Sequence, residues 1–72
     1  MTNTELLEAK IKESGKKKAH LAAKCGMTPT TFGLYLQGKY EFRTSQVDSL
    51  CEELNINDLY EKEAIFFARS GA

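Results

Sequence analysis

Gly15, Gly26 and Gly38 stand at the ends of three successive segments whose apolar residues recur every three or four positions. That punctuation limits the fold more than any other feature. Spacing of three and four is one face of a helix, and glycine readily closes a helix in the left-handed conformation. Each helix must therefore be short, and no segment alternates with period two for long enough to make a strand.

Leu7 and Ile11 share a face of a first helix, about Thr4 to Ser14, stopped by Gly15. A second, about Lys18 to Cys25, carries Leu21, Ala22 and Cys25 on one side and ends before Gly26. Thr28 suits an N-cap and Pro29 the first helical position, so a third helix starts there and runs to Gly38. Thr44 or Ser45 is expected to cap a fourth, in which Val47, Leu50, Cys51 and Leu54 form one stripe. Asn57 or Asp58 opens a fifth that contains Leu59, Ile65, Phe66 and Phe67. The expectation is an all-α, five-helix bundle forming one domain over residues 1–72. Its core should join the fourth-helix stripe to Leu7, Ile11, Leu21 and Phe32.

Composition narrows the function. Apolar residues are 42% and charged residues 28%, the balance of a folded domain rather than a disordered chain. No apolar run approaches the roughly 20 residues of a membrane span, and the first residues lack the pattern of a signal peptide. A soluble, intracellular protein is expected. Cys25 and Cys51 read as small core residues, without a disulfide framework or metal-ligand spacing around them. No paired carboxylates, nucleophile arrangement, phosphate loop or zinc spacing is present, so neither an enzyme nor a cofactor or metal site is expected. His20 is a lone histidine, read as structural or surface.

Net charge is zero, yet the halves differ. Residues 1–43 hold eight Lys/Arg against four Asp/Glu, a net of +4, and residues 44–72 hold two against six, a net of −4. One end alone suits an anionic partner. The acidic set Glu52, Glu53, Asp58, Glu61 and Glu63 reads as a solvated face.

The segment from Lys18 to Tyr35 places Ala22 on one helix, Gly26 in the turn and Phe32 and Tyr35 on the next helix. This pattern resembles the helix-turn-helix of the Cro and lysogeny-repressor class, the lambda-repressor-like DNA-binding domains, with the motif at about residues 18–37. A small residue at a steep helix crossing and a glycine in the turn are what such a pair needs. The likeness continues through Leu36, Gly38, Phe42, Val47, Leu50 and Leu54 to Phe66 and Phe67, covering roughly residues 5–67. In length the chain is similar to the small phage modulator-of-repression proteins, which act on a lysogeny repressor.

The resemblance implies a set of contacts, and the chain departs from several of them. Lys18 stands where the class often has a phosphate-binding glutamine, and Lys16 where it usually has an apolar residue. Lys16, Lys17, Lys18 and Lys39 are the candidate contacts to DNA phosphates. Thr28, Pro29, Thr30, Gly33 and Leu34 fall at the groove-facing positions of the third helix, with Gln37 at its far end. Arg, Lys, Asn and Gln read base edges best, and of these only Gln37 is present. Leu34 is expected to point outward, and Leu34 and Tyr40 are the candidate contacts to a protein partner.

The resemblance thus implies a phage-type regulator of the lysis/lysogeny switch in the cytoplasm of a bacterial host. The residues favour an antirepressor or modulator acting on a lysogeny repressor, with operator DNA bound weakly alone or in a mixed complex. A Cro-like operator-binding repressor is the alternative, and an antitoxin of similar fold is another. Homodimer formation stays open.

Overall fold

The computed structural model describes residues 1–67. Residues 68–72 of the expected domain lie outside the described residues. Five helices follow in order: α1 (Thr4–Ser14), α2 (Lys18–Lys24), α3 (Pro29–Leu36), α4 (Thr44–Glu53) and α5 (Leu59–Phe66). No strand occurs among the described residues.

Local chemistry explains where each helix starts. Asn3 Oδ1 accepts from Leu6 N–H at 3.1 Å, Thr28 Oγ1 from Thr31 N–H at 3.2 Å, and Asp58 Oδ1 from Tyr60 N–H at 2.9 Å. Each satisfies a backbone donor that the helix itself leaves free. For α4 the expected Thr44 or Ser45 cap is corrected to Arg43. Gln46 three residues on makes the difference, because its Oε1 accepts from Arg43 N–H at 2.8 Å. That single bond satisfies the Arg43 N–H from within the first turn, and the cap stands one or two residues before the expected ones.

Three helices end in the same way. At α2, Met27 N–H reaches Ala22 C=O and Gly26 N–H reaches Ala23 C=O, both at 3.0 Å. At α3, Lys39 and Gly38 repeat the pattern on Leu34 and Tyr35, and at α4, Ile56 and Asn55 repeat it on Cys51 and Glu52. The paired bonds are those of a Schellman motif, which requires a left-handed residue just past the helix. Gly26 (φ 73°) and Gly38 (φ 82°) supply it cheaply, whereas Asn55 (φ 57°) does so as a non-glycine residue. These closures stop α2 and α3 slightly short of the Cys25 and Gly38 limits expected.

The fourth-helix stripe of Val47, Leu50, Cys51 and Leu54 is buried in one cluster with Leu7, Ile11, Leu21 and Phe32, as the spacing requires. Ala22, Leu36, Ile56, Ile65 and Phe66 complete it. Helix α2 packs on α3 and α4, and α1 packs on α3 and α5. Asn3 N–H donates to Ile65 C=O and ties the start of the chain to α5.

Two side chains depart from expectation. Leu34 is half-buried rather than outward, and Cys25 is half-buried against the core rather than within it. Leu59 and Phe67 are exposed although Ile65 and Phe66 are buried. Helix α5 packs mainly on α1, with Phe66 against Phe42 and Lys62 paired to Asp48 of α4, and Leu59 and Phe67 stay outside those contacts.

Candidate interaction surface around helices α2 and α3

The lysines at the entry to α2 are not all free charges. Lys16 Nζ lies 3.2 Å from Glu53 Oε1, and Lys18 Nζ lies 3.0 Å from Glu8 Oε1. Two of the four candidate phosphate contacts therefore face carboxylates of the same chain. Lys17 and Lys39 are exposed and make no ion pair among the described residues. Lys12, Lys16 and Lys18 border a groove of about 500 Å³ whose apolar side includes Ala9 and Ile11.

Glu53 joins three parts of the fold. Its Oε1 accepts from Lys16 and also lies 2.7 Å from His20 Nε2. An ionised carboxylate can only accept, so Nε2–H is the donor. The acidic set was expected to be solvated throughout, but Glu53 is an exception, with only 18% of its side chain exposed. Nothing local in the sequence marks it, since both partners lie on distant turns of the chain.

The His20 and Lys16 hydrogen bonds hold the Glu53 carboxyl below the usual carboxylate range, against burial, which raises it. A carboxyl lowered on folding contributes stability above its unfolded value and loses that contribution as pH falls through its folded value. Glu53→Gln should therefore lower the unfolding midpoint at neutral pH, with the difference from wild type shrinking as acid protonates Glu53. Thermal unfolding followed by circular dichroism across the acid range checks this. A difference independent of pH would show that the pairs contribute nothing.

On α3, Thr28, Pro29, Thr30 and Gln37 are exposed, and Gly33 and Leu34 are half-buried. A methyl built on Gly33 meets nothing within 4 Å, so the fold itself does not require glycine there. Thr28 is engaged in capping, with its Oγ1 also 3.0 Å from Thr31 Oγ1. Gln37 remains the one exposed side chain of this group with a bidentate amide.

Beside α3 the aromatic residues form a connected series that the sequence did not announce. Phe42 lies against Phe32 and Phe66 with ring centroids 6.1 Å apart in each case. Tyr35 lies 5.0 Å from Phe42 and 5.5 Å from Tyr40. The series runs from the core outward, and Tyr40 at its end is 55% exposed. Such contacts order a surface aromatic side chain before any partner arrives.

The thiols are the least reactive groups of this region. Burial pushes both Cys25 and Cys51 up from the usual thiol value, which keeps them protonated. No helix among the described residues is long and apolar enough to cross a membrane, and no group of three metal-ligating side chains occurs among them. The chain matches no family model, no curated protein and no solved structure.

Proposed function

We propose that the chain is a transcription-regulatory module of a phage-type switch that works through protein contacts. In this reading α2, its turn and α3 form a helix-turn-helix, and the α3 side with Tyr40 docks on a lysogeny repressor. One observation carries it: α3 presents one base-reading side chain, Gln37, while an ordered and half-exposed tyrosine stands beside it. Aromatic anchors are what protein interfaces use, whereas sequence readout needs several polar ones. The pairing of Lys16 and Lys18 with Glu53 and Glu8 points the same way, since it lowers the local attraction for a polyanion.

Calorimetric titration of a phage lysogeny repressor with the chain tests the reading. Tyr40→Ala should weaken the complex by about 2 kcal/mol, the scale of an interface hot spot. It should leave thermal stability within about 1 kcal/mol, as exposed substitutions usually do. Leu34→Glu should also weaken binding, but its half-burial makes it the less clean variant. Unchanged repressor affinity in both variants removes this surface from consideration.

A Cro-like repressor is the second reading, favoured by the exposed Lys17 and Lys39. Under the first reading the isolated chain binds operator DNA weakly and with little sequence preference. Lys17→Ala and Lys39→Ala should then each reduce the slope of log affinity against log salt by about 1. Tight operator-specific binding by the chain alone would favour the second reading instead.

A further inference from the structure

Six large apolar side chains are exposed among the described residues, and five of them, Met1, Leu6, Leu59, Tyr60 and Phe67, come from the start of the chain, α1 and the ends of α5. Two of these, Leu6 and Tyr60, come together, and exposed apolar side chains that gather in this way mark an interaction surface. Between α1 and α5 lies a groove of about 470 Å³. Leu6 and Tyr60 border it, and Ala9 and Ala64 belong to its lining and are themselves exposed. The register supports one continuous track on each helix. Leu6, Ala9 and Glu13 follow at i, i+3 and i+7 on α1, and Tyr60 and Ala64 at i and i+4 on α5.

We propose that this groove is a docking site for an amphipathic helix of another protein, one with an aliphatic stripe flanked by Lys or Arg. It is separate from the α3 surface and does not depend on the function proposed there. Alanines between two helical ridges leave room for the backbone of a third helix to come close. Charge selects the flanks of the occupant. The groove is edged by the carboxylates of Glu13, Asp58 and Glu61 and by one ammonium, Lys10, which already lies 3.3 Å from Glu61 Oε2. A basic helix relieves that excess of negative charge. A second copy of this chain brings the same net negative edge, so two such grooves face to face add like charge rather than offset it.

The probe is a fluorescein-labelled helical peptide of about five turns, with leucines on one face and lysines beside them. A matched peptide carries glutamates in place of the lysines. Titrated with the full chain, the lysine peptide should bind at micromolar concentration, weaken as salt rises and shift the NMR signals of Ala9 and Ala64. Tyr60→Ala and Ala64→Arg should each weaken it about ten-fold or more, with Tyr40→Ala without effect. Circular dichroism confirms that the variants fold, so loss of binding reports on the groove. The proposal is overturned by equal binding of the two peptides, by affinity unmoved in both groove variants, or by a dimer in sedimentation that Tyr60→Ala dissociates.

Discussion

Truncating Phe32 to alanine should destabilise the fold by about 3–5 kcal/mol, and Leu50→Ala by about 2–5 kcal/mol. Both side chains are fully buried, on α3 and α4, in the one cluster that joins all the helices. Phe32 carries more than its own contacts, because Phe42 rests edge-on against its ring and Tyr35 rests on Phe42. A chain of this length has a total stability of roughly 4–11 kcal/mol at typical values per residue. Either truncation removes a large part of it. For a domain of this size the unfolding midpoint falls by about 4–8 °C per kcal/mol. Phe32→Ala should therefore melt well over 10 °C below wild type, or be unfolded at 25 °C. A midpoint within a few degrees of wild type would mean that Phe32 does not sit in the shared core.

Ala22→Leu is the second large effect, and it acts by excess rather than by loss. Ala22 is fully buried on α2, the helix that packs on both α3 and α4. Its carbonyl also accepts from Met27 N–H, so the backbone at that point is held by the closing turn of α2. A leucine there has no space to occupy, and overpacking of a dense core costs about 1–3 kcal/mol. Ala22→Gly is the control: it should cost about 1–2 kcal/mol through helix propensity and the loss of one buried methyl. Denaturant unfolding of the two variants separates the causes. A leucine variant as stable as wild type would mean that open space lies beside Ala22.

The five helices were legible because their signals are local. Asn3, Thr28 and Asp58 cap from within three residues, and Gly15, Gly26 and Gly38 close helices with the backbone beside them. The stripe at Val47, Leu50, Cys51 and Leu54 named one buried face because helical spacing leaves few alternatives. The Arg43 cap has no local signature, because arginine offers no acceptor to the first turn and the bond made there runs from its own N–H to Gln46.

What needed the folded chain was every relation between distant turns. Composition supplied ten lysines and arginines against ten carboxylates, but which of them pair depends on α1, α2 and α4 meeting. Hence Lys16 and Lys18 read as free charges until Glu53 and Glu8 were found beside them. Leu34 is half-buried although its neighbours Phe32 and Leu36 take the core positions, which helical spacing alone does not indicate. Leu59, Tyr60 and Phe67 carry the same apolar character as Ile65 and Phe66, and only the packing of α5 on α1 left them outside. Helix-forming preference and capping act over a few residues along the chain, so the sequence determined the five helices and their buried stripes. Burial and ion pairing act through space between helices that the chain alone does not place, so the tertiary structure decided which charges are free and which apolar groups remain exposed.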